Sequence, residues 1–101
     1  MAVDWRSLLS GYSDWDIDTM MAIIFGSAVC PNGESGGDPT AINPDGRSWG
    51  GLQIEYDAHR AELINITGSD DPHQLLNPII NVEMAHDVWL SSGYGAWSCY
   101  R

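Results

Sequence analysis

Apolar residues recur at helical spacing in two long stretches of the chain and thin out between them. Ile17, Met20, Met21, Ile24 and Ala28 stand at i, i+3, i+4, i+7 and i+11, the spacing that gathers side chains on one helix face. Ser13-Asp14-Trp15-Asp16 precedes them, with capping oxygens and acidic groups suited to a helix N-terminus. The pattern predicts a central buried helix from Ile17 to near Cys30-Pro31. A second long helix opens at Asn77-Pro78, because proline suits the first helical position. Its buried face is predicted to carry Ile80, Met84 and Val88, with Val82, Ala85 and Trp89 alongside, and Gly93 ends it. Shorter patterns predict helices over residues 3–10 (Trp5, Leu8, Leu9) and 56–66 (Ala58, Ala61, Leu63, Ile64). Asp70-Asp71-Pro72 caps a short turn holding Leu75 and Leu76.

Residues 32–51 break this rhythm. They are dense in Gly, Pro, Asn, Asp and Ser, each a turn former for its own reason. They read as loop plus a small irregular hairpin with Asn43-Pro44-Asp45-Gly46 at its tip. The sum is an α+β fold, a mostly helical domain with a small β-hairpin element. At 101 residues the chain is expected to form a single domain. Its longest apolar run, residues 20–25, is far below the roughly 18–20 residues that span a bilayer.

Charge narrows the range of partners. Four Arg and no Lys stand against 14 Asp and Glu, for a net charge of −10. Nucleic acid is excluded as a partner, since phosphate binding draws on Lys and Arg to displace counterions, and an anionic membrane surface is disfavoured likewise. Two cysteines, Cys30 and Cys99, fit no zinc or redox spacing with His59, His73 and His86. They are either buried thiols or, as favoured here, one disulfide of the kind that staples small secreted domains. The first dozen residues lack the basic start and apolar core of a signal peptide.

Among the carboxylates Glu34 stands apart. It follows an apolar helix and sits in a glycine-rich bend, Gly33-Glu34-Ser35-Gly36-Gly37. A carboxyl at the edge of a hydrophobic core loses solvation, which favours its neutral, proton-donating form. The motifs that follow Glu34 run in a recognisable order: Glu34-Ser35-Gly36 with Pro39; Ala41 with Asn43-Pro44; Ser48-Trp49-Gly50-Gly51-Leu52-Gln53-Ile54; Leu76-Asn77-Pro78 with Asn81 and Ala85; and Gly95-Ala96-Trp97-Ser98. In order and spacing this resembles the lysozyme-like lytic transglycosylases, and between Glu34 and His59 it is also similar to goose-type lysozyme. The likeness covers roughly residues 16–100 and leaves 1–13 as an N-terminal extension.

The resemblance implies a lysozyme-like domain that cleaves peptidoglycan glycan strands between N-acetylmuramic acid and N-acetylglucosamine, as a monomer and without metal or cofactor. It implies an extracellular, periplasmic or virion-associated location. Glu34 matches the family's catalytic acid and Ser35 the serine that steadies it. Gly50, Leu52, Gln53 and Ile54 match the strand lining the sugar cleft, and His59 the histidine of goose-type lysozyme. Asn81 matches an asparagine read as structural. Hydrolysis would call on a second carboxylate; Glu55 and Asp45 are the candidates, with Asp45 also a plain turn former. The similar transglycosylases work with one Glu and close the C6 hydroxyl into a 1,6-anhydro sugar.

Three departures stand out. Cys30-Pro31-Asn32-Gly33 separates the apolar helix from Glu34, where relatives run helix straight into acid. Gly51 replaces a larger residue and is expected to widen the cleft floor. A late Tyr-Asn-Ala-Gly motif is missing; in its place stand Trp97 and Tyr100, which either stack on a sugar or close the core around Cys99. Asp14, Asp16 and Asp18 begin like a calcium loop but lack its glycine and closing glutamate.

Overall fold

The computed structural model describes residues 2–100. Four α-helices and one small antiparallel sheet give the expected α+β fold: α1 (Trp5–Leu9), α2 (Ile17–Phe25), β1 (Ser48–Trp49), β2 (Ile54–Glu55), α3 (Tyr56–Thr67) and α4 (Pro78–Ser92). Short 3-10 turns cover Pro72–Leu76 and Tyr94–Ala96. Three helices begin on side-chain caps: Asp4 accepts from the Ser7 N–H, Asp16 from Thr19 and Asn77 from Ile79. Such a cap contributes about 1 kcal/mol.

One core joins all four helices. Trp5 and Leu9 of α1, Met20 and Ile24 of α2, Leu63 of α3 and Val82, Met84 and Ala85 of α4 are buried together with Leu52, Ile54 and Leu75. The stretch expected as an N-terminal extension therefore contributes to the core through α1. On α4 the buried face carries Val82, Met84, Ala85 and Val88, while Ile80 is only partly covered. Ala58 and Ala61 of α3 lie in solvent, leaving Leu63 as that helix's buried residue.

Two boundaries differ from expectation. Helix α2 stops at Phe25, five residues before Cys30, because Gly26 takes φ 142° and leaves helical geometry. Ala28, the last member of the predicted stripe, is exposed. The sheet pairs Ser48 with Glu55 and Trp49 with Ile54, so the hairpin turns at residues 50–53. The Asn43-Pro44-Asp45-Gly46 turn also reverses the chain, through a bridge from Ile42 to Trp49.

The sheet and α4 are bolted by Asn81, the one buried polar residue among those described. Its Nδ2 donates to the Trp49 and Leu75 carbonyls, and its Oδ1 accepts from the Leu52 N–H. Three backbone groups that would otherwise be buried unpaired are satisfied by one side chain. The structural reading of Asn81 agrees with this placement.

Candidate active site

Glu34 reaches its position by a splice in the backbone. After Phe25 the chain leaves α2, makes an excursion through residues 26–33, and returns to the same helix end. There the Glu34 N–H donates to the Ile23 carbonyl at 2.7 Å, and the Gly36 N–H to the Ile24 carbonyl at 3.0 Å. In a continuing helix those carbonyls would accept from Ser27 and Ala28. The returning strand thus satisfies orphan carbonyls of the α2 C-terminus and sets Glu34 as if it followed the helix directly. Gly33 makes the return feasible: it has φ 67°, and a Cβ there would run into the Ile24 carbonyl. Residues 26–33, Cys30-Pro31-Asn32-Gly33 among them, are thus looped out and do not carry Glu34 away from the helix end.

The excursion is fastened at its far end. Cys30 and Cys99 form a disulfide across 69 residues. The bond draws the C-terminal segment over Glu34, whose Oε2 accepts the Cys99 N–H at 3.0 Å. Trp97 is buried in the same segment, and its indole N–H donates to the Leu52 carbonyl at 2.8 Å.

Glu34, Ser48, Gln53, Ile54, Glu55, His59, Val88, Ala96, Trp97 and Ser98 line one cleft of about 230 Å³. None of them is Arg or Lys, so the cleft offers carboxylates, hydroxyls, one amide and one imidazole. This is a set suited to a neutral, hydroxyl-rich ligand rather than an anion. Gln53 sits at φ 47°, and its Nε2 donates to the Ala41 and Gly50 carbonyls at 3.0 and 2.8 Å. Both amide hydrogens hold the turn, leaving the amide oxygen to meet a ligand. Among the described residues no three His, Cys, Asp or Glu side chains converge as metal ligands.

No family model, curated protein or solved structure matches the chain. The site therefore stands on its own geometry.

Of the residues singled out in sequence, Glu34, Gln53, Ile54, Glu55, His59 and Trp97 come together in the cleft. Others do not. Asp45 lies exposed in its turn, accepting from the Arg47 N–H. Gly50 and Leu52 are buried in the turn between the strands and do not line the cleft. Ser35 does not touch the Glu34 carboxyl; its Oγ donates to the Gly51 carbonyl at 2.6 Å and accepts from the Gly37 N–H, steadying the bend. Tyr100 stacks on Tyr94 and lines a second, apolar hollow with Ala22, Ile23 and Val29. Gly51 does not widen the cleft floor. The space a side chain would take there is filled by the Trp5 indole, whose N–H donates to the Gly37 carbonyl.

Ser48, Val88, Ala96 and Ser98 join the cleft without having been foreseen. Ser48, Ala96 and Ser98 stand inside the ordered motifs, although the resemblance gives them no role in the site. Val88 carried only a core signal, since its helical spacing marks it as apolar face.

Proposed function

We propose that the protein is a lysozyme-like glycosidase that cleaves the β-1,4 bond between N-acetylmuramic acid and N-acetylglucosamine in peptidoglycan, with Glu34 as general acid and base. The observation that carries this reading is the placement of Glu34. Its backbone caps α2, its carboxyl is half-buried and oriented by the Cys99 N–H, and it shares a cleft free of cationic side chains with Gln53, Glu55, His59 and Trp97.

In the transglycosylase form, protonated Glu34 gives its proton to the glycosidic oxygen as that bond breaks. The sugar's own acetamido group supports the oxocarbenium-like state. Glu34, now a carboxylate, then takes the proton of the C6 hydroxyl as that oxygen bonds to the anomeric carbon, which closes a 1,6-anhydro ring and restores the acid. Glu55 in the same cleft supports a second form, hydrolysis with a second carboxylate. Asp45, outside the cleft, is not proposed for that role. The disulfide favours action outside the cytoplasm, and among the described residues no helix is long and apolar enough to cross a membrane.

The test is digestion of purified sacculi with product mass analysis. Glu34→Gln is expected to fold normally and lose turnover by at least about a hundredfold; normal digestion by that variant overturns the assignment. Products one water lighter than the hydrolysis products identify the transglycosylase, and full-mass products identify the hydrolase. Binding of sacculi with no soluble product from the wild-type chain would instead identify a glycan-binding module.

A further inference from the structure

Helix α3 departs from helical dihedrals at one internal residue, His59, with φ −122° and ψ 20°. Such kinks usually trace to proline, glycine or an inserted group, and residues 56–67 contain no proline or glycine. His59 also lines the cleft. Three positions on, Glu62 lies on the same helical face and brings its Oε2 to 3.4 Å from His59 Nδ1. Both atoms are fully buried and neither has a hydrogen-bond partner. The rest of each side chain reaches solvent, His59 being 25% and Glu62 42% exposed. The separation is within hydrogen-bond reach but the alignment is not, so a small turn of either side chain would join the two buried atoms. Hydrogen bonds at reactive sites are often long before a ligand arrives.

We propose that Glu62 is the positioning residue for His59. Its carboxylate holds the ring hydrogen on Nδ1, so neutral His59 presents Nε2 to the cleft as a hydrogen-bond acceptor. The ring edge left for the cleft then recognises a donor on the ligand, which on the reading above is a hydroxyl or acetamido N–H of the glycan. Without Glu62 the imidazole would be free to carry its hydrogen on either nitrogen and to present a donor instead. The arrangement follows the logic by which a carboxylate oxygen on one ring nitrogen fixes the tautomer of a working histidine; here that oxygen is buried while the rest of Glu62 reaches solvent.

The first test needs no activity. Nitrogen–proton correlation spectra of the labelled protein, at a pH where His59 is neutral, are expected to place its hydrogen on Nδ1. Glu62→Ala is expected to shift the ring toward the Nε2–H tautomer, and Glu62→Gln, whose amide oxygen still accepts, to keep the wild-type form. An Nε2–H tautomer in the wild-type protein overturns the proposal, and so does a tautomer unmoved by Glu62→Ala. The second test rests on the glycosidase reading. Glu62→Ala and His59→Ala should each raise KM about tenfold with little change in kcat, and the double variant should be no worse than either. Additive losses overturn the assignment of Glu62 as acting through His59. A wild-type chain with the Nδ1–H tautomer but no cleavage of sacculi leaves the positioning intact and removes the glycosidase.

Discussion

Helix α4 and residues 26–53 meet at Asn81, yet they are held in place by different means. The helix buries Val82, Met84, Ala85 and Val88 in the common core, so its position rests on apolar contact that many small shifts would tolerate. Residues 26–53 bury few side chains. They are fixed by single directional links: the Glu34 and Gly36 N–H groups on the end of α2, Ser35 on Gly51, Trp5 on Gly37, Gln53 on Ala41 and Gly50, and the disulfide. The cleft takes Glu34, Ser48 and Gln53 from the second region but only Val88 from α4. A core specifies which elements touch, whereas individually placed donors and acceptors set where a carboxylate points. The difference can be probed by cutting the links one at a time.

The largest effect is expected from the disulfide. A bridge closing a loop of this length is worth about 4 kcal/mol in the loop-entropy model. The double variant Cys30→Ser, Cys99→Ser should lose close to that in a denaturant titration. It should also free the segment that carries Cys99 and Trp97, changing Trp97 emission under conditions where the helical circular dichroism signal is still intact. Coincident loss of both signals would mean that the tail and the core are one unit, and the contrast between the regions would fail.

Asn81 comes next, because it is the point where the two regions are joined. Asn81→Leu keeps the volume but takes a hydrogen bond from each of the Leu52 N–H and the Trp49 and Leu75 carbonyls. A cost of about 3 kcal/mol is expected. Hydrogen exchange should show protection lost first in β1, β2 and the turn between them. Uniform loss across α4 would instead place Asn81 among the ordinary core residues.

What could be read from the chain follows the same division. The spacing of Met20 and Ile24, the Asn77-Pro78 helix start and the Gly93 stop were legible, because helix periodicity and capping act within a few residues. The cleft members Glu34, Gln53, Glu55 and His59 were reached through ordered motifs, not through periodicity. The early end of α2 and the return of Glu34 to Ile23 were not legible. They depend on backbone groups of residues 11 apart in sequence finding each other around Gly33. Nor was Trp5 filling the space beside Gly51, since local patterns carry no trace of a contact across 46 positions. Nor was the separation of Tyr100 from Trp97: the two lie three positions apart, yet Tyr100 stacks on Tyr94 beside the second hollow while Trp97 lines the cleft.

Within the irregular region, Ser35→Ala removes the two links that one hydroxyl makes. The Gly51 carbonyl and Gly37 N–H lose their partner, for an expected cost of about 1 kcal/mol. If bend geometry is set link by link, turnover on sacculi should fall more than this small destabilisation would suggest, because Glu34 adjoins Ser35. An activity loss that a matched core variant of α4 away from the cleft, such as Val82→Ala, reproduces at equal stability would show that general loosening, and no particular link, governs the site.

The smallest effect should be found where links of the same directional kind are exposed to solvent. Asp38 is held below the ordinary aspartate value of 3.8 by the Thr40 backbone and hydroxyl bonds, Asp70 by its pairing with Arg60, and Asp71 by the His73 backbone N–H. A depressed folded-state pKa means that the stabilisation is fully present above the unfolded value and is lost as pH falls through the folded one. The three carboxyl resonances should therefore titrate below 3.8, with stability declining only in that acid window. Asp70→Asn should remove the Arg60 share and leave the titrations of Asp38 and Asp71 in place. Solvent screens such contacts heavily, so the variant should be hard to tell from wild type at neutral pH. A clear loss there would mean that the Arg60–Asp70 pair itself anchors α3, since the Tyr56 hydroxyl bond to the backbone carbonyl of Asp70 survives the substitution, and so bears on the setting of His59.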